Sequence, residues 1–487
     1  MFESTIVRAK VCKDETNVAC EIPVLLTADG PLMVLVEYLV VHSTIRSPSW
    51  MKKVVLAVRL FLEYQYVHPA YSDERALFES FSRALDLGTT FAAASTLDDV
   101  EQLFWKARAP DDSNRIIVNL SDFFDWYSKE GRKKFNPAKS TFISAYDKRL
   151  SEAAYTYFRN KAFLGHTWSS AQEASLRSEE EGEPYRRKAP STELSQARGF
   201  PEHLILELIF KGFKVGNRYN YRDMLIVILM NGAGFRISEV LHLYLWDVTE
   251  DPISPGCALI LIHHPELGRS PNDPKWVDLS GRPKKGNRAT YLAERFGLTP
   301  RTRELGKSGS GWKGGSHEKL YGDYYKQAYW FIPEFGKLFW EIWQLYIRQV
   351  MRIPPEQRNH PYAFMNLVRG EVGSIYKKSK FETSYQRAVE SIGLTCSFDA
   401  GTNVHSNRHG YGQRLAKAEM SPEHIRIFMH HSDIESQRVY TQADFKECRR
   451  LLQRASDKLN GMTEQDPASF VRITSSDIEK FRNANGA

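Results

Sequence analysis

The sequence predicts a mostly α-helical protein with a small β-sheet, divided between an N-terminal helical domain and a C-terminal mixed α/β domain. Three observations carry this. The 487 residues exceed one ordinary domain of roughly 100–200 residues, and 42% apolar with 12% aromatic residues can fill more than one core. Apolar positions recur mainly at helical spacing. One long polar stretch, Ser169–Arg198, containing S-E-E-E-G-E-P-Y-R-R-K-A-P-S-T, divides them and reads as an exposed linker.

Along the first part, Val54, Val55, Val58, Leu60, Phe61 and Tyr64 follow a helical period, and the turn signal Arg46-Ser47-Pro48-Ser49 splits Pro31–Val67 into a packed helix pair. Helical patterns continue at Ala76–Leu87, Leu97–Arg108 and Ser121–Tyr127, where Ser121 can cap the run Phe123, Phe124, Trp126. Residues 1–165 thus read as an all-helical domain and 166–199 as the charged linker. Residues 200–460 form the second domain. There Met224–Met230 predicts a buried helix entering a tight turn at Gly232 and Gly234, and Ile237, Val240, Leu241 and Leu243 start another helix. Ala258–His263 and Arg288–Leu292 predict strands. Residues 298–325 read as a basic, Gly-rich insertion with limited order of its own. Helices follow at Phe335–Met351, Ser379–Ile392, His405–Ala418, Pro422–Phe428 and Asp444–Leu459, and 461–487 is a polar tail. No repeat of solenoid period occurs.

The formal charge is +7, and the segment Arg282–Lys326, with eleven Lys and Arg against four acids, carries as much net charge as the whole chain. A smaller run comprises Lys129, Arg132, Lys133, Lys134 and Lys139. Such runs permit a polyanionic partner. Five scattered cysteines, Cys12, Cys20, Cys257, Cys396 and Cys448, form no C-x-x-C pair, which favours a reducing compartment without a thiolate metal site. The first residues, M-F-E-S-T-I-V-R-A-K, lack the basic-then-apolar pattern expected of a signal peptide, and no apolar run reaches the length needed to cross a bilayer. A cytoplasmic, nucleoid-associated bacterial protein with no membrane partner is expected.

The chemistry concentrates in N-V-H-S-N-R-H-G-Y-G-Q-R-L-A-K-A-E-M-S-P-E-H-I-R-I-F-M-H-H-S-D-I-E-S-Q-R-V-Y, Asn403–Tyr440. His405 and Arg408 are three apart and share a helix face. Ser421-Pro422 suits the start of a helix that leads to His431 and then Tyr440. Far upstream, G-F-R-I-S-E-V sets Arg236 at a helix start just after a glycine turn.

In these motifs the chain resembles the tyrosine recombinases and integrases. Arg236, Ser238 and Glu239 match G-x-R-x-S-E, His405 and Arg408 match H-x-x-R, and His431 with Tyr440 nine residues on matches the third motif. The resemblance covers roughly residues 200–460. It implies a site-specific DNA recombinase or integrase, working through DNA breaking and rejoining, that cleaves strands by a 3′-phosphotyrosine intermediate. Integration or excision of a mobile element is the expected process. The N-terminal core-binding domain and the catalytic domain would form a clamp around double-stranded DNA. Strand exchange would fall to a homo-tetramer on two sites, with element-encoded accessory proteins as further partners. Asp444–Leu459 would dock into a neighbouring subunit.

The residue types suit that reaction. A phenol attacking a phosphodiester builds negative charge on the non-bridging oxygens, and arginine donates paired hydrogen bonds while staying charged. Arg236 and Arg408 are therefore the expected clamp, and His431 a further donor. Tyr440, with an unperturbed pKa of about 10, needs a base, for which His405 stands ready. The departing 5′ oxygen needs a proton, which the family takes from a hairpin lysine. In P-K-K-G-N-R-A-T-Y-L this is Lys285, with Lys284 second. A phosphotyrosine keeps the energy of the broken bond, so neither cofactor nor metal is expected.

Two departures stand out: His430 replaces the family's Gly before His431, and the interval from Arg236 to His405 is long, consistent with an insertion at 298–325. The basic insertion reads either as a contact to DNA or another protomer, or as a solvated loop. Alternatives are weaker. His405, His409, His424, His430 and His431 include the i, i+4 spacing of metal ligands, but position 406 is Ser where a zincin needs Glu. Gly306-Lys307-Ser308 lacks the P-loop's earlier glycine, since Arg301 stands there. Type IB topoisomerase-like relaxation and a catalytically silent DNA-binding accessory protein remain as rival functions.

Overall fold

The computed structural model describes residues 3–12, 19–43, 45–71, 73–93, 96–98, 102–129 and 198–433, apart from 316, 320–322 and 369, with isolated positions between 137 and 159. Tyr440, the expected helix Asp444–Leu459, the polar tail and most of the linker lie outside the described residues. The chain divides into two compact units, Met1–Ser191 with Thr299–Gly311, and Thr192–Leu298 with Trp312–Ala487.

The first unit is not all-helical. β1 (Ser4–Cys12) pairs antiparallel with β2 (Ala19–Thr27) in a register running from Ser4↔Thr27 to Cys12↔Ala19, and β3 (Gly30–Pro31) extends the sheet. The physical reason is a period of two: Val7, Ala9 and Val11 turn to the core while Ile6, Arg8 and Lys10 face solvent. Behind β2 lie α1 (Met33–His42) and α2 (Pro48–Val67), the expected pair. Ser47 caps α2, its Oγ accepting from the Trp50 amide at 3.3 Å ahead of Pro48. α3 (Glu74–Leu87), capped by Asp73, and α4 (Pro110–Lys129) complete the helices. Phe61 sits among Phe78, Phe81 and Phe124 at 5.3–5.6 Å.

Leu97–Arg108 is likewise no helix. β4 (Phe91–Ala93) pairs with β5 (Thr96–Asp98), Gln102 and Phe104 take positive φ, and Lys106 bridges to Gly88. Trp105 and Thr89 bond reciprocally at 3.0 Å, which seats the indole against Tyr64 and Phe81. Trp105, with Leu103 beside it, is a tertiary anchor on extended chain rather than part of a helical face. Thr299–Gly311 has few regular elements but its own bonds: Arg301 is buried and donates to the Ser308 carbonyl at 2.7 Å, and Lys52 Nζ reaches the Leu305 carbonyl at 2.9 Å.

The second unit is built around α6. After α5 (Ile205–Glu207), its π-helical continuation Leu208–Gly212, and a hairpin of β6 (Lys214–Val215) and β7 (Arg218–Tyr219), the chain enters α6 (Tyr221–Gly232). Every residue from Met224 to Met230 is buried, as the unbroken apolar run predicts. α7 (Ile237–Val240) follows the glycine turn, and β8 (Val248–Glu250) and β9 (Ala258–His263) open a sheet. Next come α8 (Arg288–Phe296), β10 (His317–Lys319) and β11 (Asp323–Gln327), giving an antiparallel order β10-β11-β9-β8. α9 (Pro333–Met351), α10 (Lys378–Ser391), α11 (Ser406–Lys417) and α12 (Pro422–Phe428) finish the unit, with α9 and α11 packed on α6. Among the described residues no helix is long and apolar enough to cross a membrane.

Arg288–Leu292, expected as a strand, begins a helix. Asn287 caps it, accepting from the Thr290 amide at 2.8 Å, and the buried residues Arg288, Tyr291 and Leu292 fall at helical spacing. Arg288 binds both carboxylate oxygens of the buried Asp247, at 2.9 and 2.5 Å, beneath the Tyr244 ring. Asp247→Ala strands that guanidinium, so we expect a loss of about 3–5 kcal/mol, measured as a lower denaturant midpoint. The double replacement Asp247→Leu with Arg288→Met should lose much less.

Candidate active site

Three separated stretches of sequence converge on one buried carboxylate. Arg236 is the N-cap of α7, and Glu239 at the third helical position returns to it twice, accepting from the Arg236 amide at 3.0 Å and from Nη1 at 3.0 Å. Glu239 thus both caps its helix and holds the arginine. Its other partner is Lys326, whose Nζ donates to Oε1 at 2.8 Å. Both Glu239 and Lys326 are fully buried, whereas the Arg236 side chain keeps 21% of its surface open.

Lys326 is brought there by strand register. It lies opposite Ile262 of β9, a core-facing position, so its side chain runs under the sheet rather than into solvent. Trp312 covers its Nζ at 4.2 Å from the ring centroid. Nζ also donates to the Lys313 carbonyl, which Arg236 Nη1 approaches at 3.4 Å. Gly314 follows with φ +79°, and a side chain there would strike the His430 carbonyl and lie 3.2 Å from Arg236 Nη1. Residues 312–314, which fall within the expected insertion, are therefore a wall of the site.

Arg408 supplies the staple. Fully buried on α11, it donates through Nη1 to the Gly234 carbonyl, in the turn before Arg236, and through Nη2 at 2.6 Å to the Met429 carbonyl, in the turn before His431. Gly234 has φ +72°, and a Cβ there would collide with the Tyr411 ring, so the turn demands glycine twice over. His430 also lies in the left-handed region, at φ +52°, where a glycine would sit without strain. Its buried ring compensates by stacking on Phe235 at 4.7 Å and donating from Nε2 to the Gln327 carbonyl at 2.8 Å. The extra side chain thus ties the third motif to β11 instead of displacing the turn.

Charge follows from this packing. Burial raises the proton affinity of Glu239, but Lys326, Arg408 and Arg236 overcome it and hold the carboxyl at about 2. Burial pulls Lys326 down to about 8, against the pull of Glu239, so it is cationic at neutral pH but close to titrating. His405 is exposed at the N-terminus of α11. The protein around its ring, then His409, Arg408 and Arg236, push it to about 3. Burial, then Arg408 and Arg236, bring the enclosed His431 to about 3, and burial with Arg408 brings His409 to about 4. The histidines are neutral at pH 7, and three cations against one carboxylate leave the cluster at +2. Such a cluster suits a phosphodiester.

The structure joins Arg236, Arg408, His405 and His431 in this cluster but not Lys285. That residue is exposed on the loop before α8 and belongs to no strand pair, while Lys284 bonds Glu294 at 2.6 Å. Lys326 was missed because its selection depends on the distant Glu239, and the eleven cations of Arg282–Lys326 look alike in sequence. Among the described residues no group of three or more His, Cys, Asp or Glu side chains could hold a metal ion.

No family model matches the chain, and no curated protein matches it. Among solved structures it is similar to the Tn1549 transposon integrase in complex with transposon right end DNA, at 15% identity over 70% of this chain and 85% of that one, with a TM-score of 0.32. XerH site-specific recombinase bound to difH substrate gives 14%, 79%, 94% and 0.33. The integrase from mycobacterium phage Brujita gives 12%, 92%, 96% and 0.23. These likenesses are too slight to assign roles to residues.

The depressed histidines fix a pH dependence. His405 and His431 sit at about 3 and His409 at about 4, against 6.5 without the fold. On acidification the unfolded chain takes protons first, so the stability these groups contribute is full above 6.5 and is lost towards pH 3. Glu239 adds a loss beginning below 4.5 and ending near 2. Denaturant midpoints should fall between about pH 7 and pH 5, and His431→Gln should flatten that slope. An unchanged slope would remove His431 from the explanation.

Proposed function

We propose that this chain is a site-specific tyrosine recombinase that cleaves and rejoins DNA through a 3′-phosphotyrosine at Tyr440, serving the integration or excision of a mobile element in a bacterial cytoplasm. The observation that carries the reading is the assembly of Arg236, Arg408, His405, His431 and Lys326 around Glu239, from segments up to 195 residues apart, into one net-positive cluster. A structural ion pair alone would need neither neutral histidines beside it nor an arginine left partly open.

In this reading the Tyr440 phenol attacks phosphorus, forming the phosphotyrosine bond as the bond to the 5′ oxygen breaks. Neutral His405 accepts the phenol proton. Lys326, the lysine held beside Arg236 on Glu239 and the Lys313 carbonyl, rather than Lys285 or Lys284, gives the 5′ oxygen its proton from the ammonium form that it keeps at neutral pH. Arg236, Arg408 and His431 meet the growing charge on the non-bridging oxygens. Reversal by a second 5′ hydroxyl rejoins the strand, with no cofactor in the balance. A tetramer on two duplexes, with each chain clamped around DNA, is the matching assembly.

A nicked duplex carrying the element's junction traps the intermediate. Wild-type protein should yield a covalent adduct and Tyr440→Phe none. Absence of an adduct with the wild-type protein as well would overturn the proposal. Lys326→Ala should slow cleavage by about 10²–10³-fold, and a 5′-sulfur leaving group, which departs without a proton, should restore it. Lys285→Ala, at saturating DNA, should cleave at the wild-type rate. Failure of the sulfur substrate to rescue Lys326→Ala would remove that residue as the acid.

A further inference from the structure

Pro283-Lys284-Lys285, whose two lysines do not reach the site, forms the end of a hydrogen-bonded exposed turn. Val277 and Pro283 bridge its two arms. The Asp278 amide donates to the Arg282 carbonyl at 2.8 Å, and the Lys284 amide to the Trp276 carbonyl at 3.0 Å. Asp278 Oδ1 accepts from the Ser280 amide at 2.8 Å, the Ser280 hydroxyl at 2.6 Å and the Arg282 amide at 2.9 Å. Gly281, at φ +78°, makes the reversal.

The base of the turn is anchored. Trp276 is buried with Tyr244, Tyr291, Leu292 and Tyr362, and Glu294 of α8 receives both the indole N–H at 3.0 Å and Lys284 Nζ at 2.6 Å. Above this anchor every residue from 277 to 286 is exposed. The tip is Leu279, fully exposed, and Val277 beside it is open as well. Around them the segment carries Arg282, Lys284 and Lys285 against a single acid, Asp278, whose Oδ1 is engaged inside the turn.

A surface turn that had only to reverse the chain would need no leucine at its apex, nor a cationic rim. An apolar tip within a basic rim, held stiff before any encounter, matches duplex DNA: cations neutralise phosphates on either side of a groove and the apolar side chain enters between base steps. Because the turn is already ordered, binding costs it little conformational freedom. We infer that the turn 276–285 is a preformed DNA-gripping finger, separate from the reacting residues, in which Arg282 and Lys285 contact backbone phosphates and Leu279 acts as a wedge. The inference rests on the recombinase reading for its choice of DNA, but it concerns duplex affinity and not cleavage.

The test uses the full chain and a short duplex with 2-aminopurine at successive positions, titrated over a range of salt. Arg282→Ala with Lys285→Ala should weaken binding and reduce the slope of log affinity against log salt by about two, one for each phosphate left without its cation. Leu279→Ala, a change at a fully exposed position that cannot open the core, should weaken binding without changing that slope. It should also abolish the fluorescence rise that unstacking produces in the wild type, and Leu279→Phe should keep the rise. Unchanged affinity and slope in the double variant, with no fluorescence rise in the wild type, would overturn the finger while leaving covalent cleavage by Tyr440 intact. Conversely, a protein that forms no covalent adduct yet shows both effects would retain the finger and lose the recombinase reading.

Discussion

The second unit depends on the burial of Glu239. A carboxylate without access to water is costly unless its charge and its lone pairs are met. Here they are met by the Arg236 amide and guanidinium and by Lys326. That requirement fixes more than one residue. It orients Arg236 at the mouth of α7, draws β11 into the register that turns Lys326 inward, and brings the Lys313 carbonyl over both cations. Removing any of these groups would leave a buried charge unmatched, so the constellation is self-supporting before a phosphate arrives. Such preorganisation is what makes electrostatic stabilisation effective in a dry site.

Arg408 solves the complementary problem at the backbone. The carbonyls of Gly234 and Met429 end two turns that have no helical partner for them, and one guanidinium satisfies both. The turn before Arg236 and the turn before His431 are thereby held at a fixed separation. His430 adds a third tie, from a left-handed backbone position to the Gln327 carbonyl, the residue after Lys326. The strain of a non-glycine residue there is offset by stacking on Phe235, so the side chain at this position joins the turn before His431 to β11 instead of separating them.

How much could be read from the residues depends on range. α2 and α6 were legible because a cap or an uninterrupted apolar stretch records them locally, as with Ser47-Pro48 and Met224–Met230, and α9 because its apolar residues recur at helical spacing. Arg236, His405, Arg408 and His431 were legible because each motif is short and ordered along the chain, whereas Tyr440 lies outside the described residues. The β1–β2 hairpin was legible too, in the alternation of T-I-V-R-A-K-V, but the helical density of α1 and α2 just beyond it masked the period of two. Leu97–Arg108 and Arg288–Leu292 failed for the opposite reason. Trp105 answers to Tyr64 and Phe81 and Tyr291 to Tyr244, partners distant in sequence, although the Asn287 cap of α8 is a local signal. Lys326 belongs with these, since only the fold sets it beside Glu239.

The same electrostatics bear on how the proposed reaction would be timed. Burial, together with Arg408 and Arg236, keeps His405 and His431 neutral, so the basic form of His405 is available, yet its affinity for a proton is too low for it to deprotonate a phenol readily. A phosphodiester entering between these cations brings a negative charge that opposes their effect and raises the proton affinity of both imidazoles. The base therefore strengthens when a substrate phosphate is in place. Lys326, already cationic at neutral pH, shifts the same way and holds its proton more firmly until charge grows on the leaving oxygen. The base would thus be set by the arrival of the group on which it acts, and the +2 of the cluster contributes to that response.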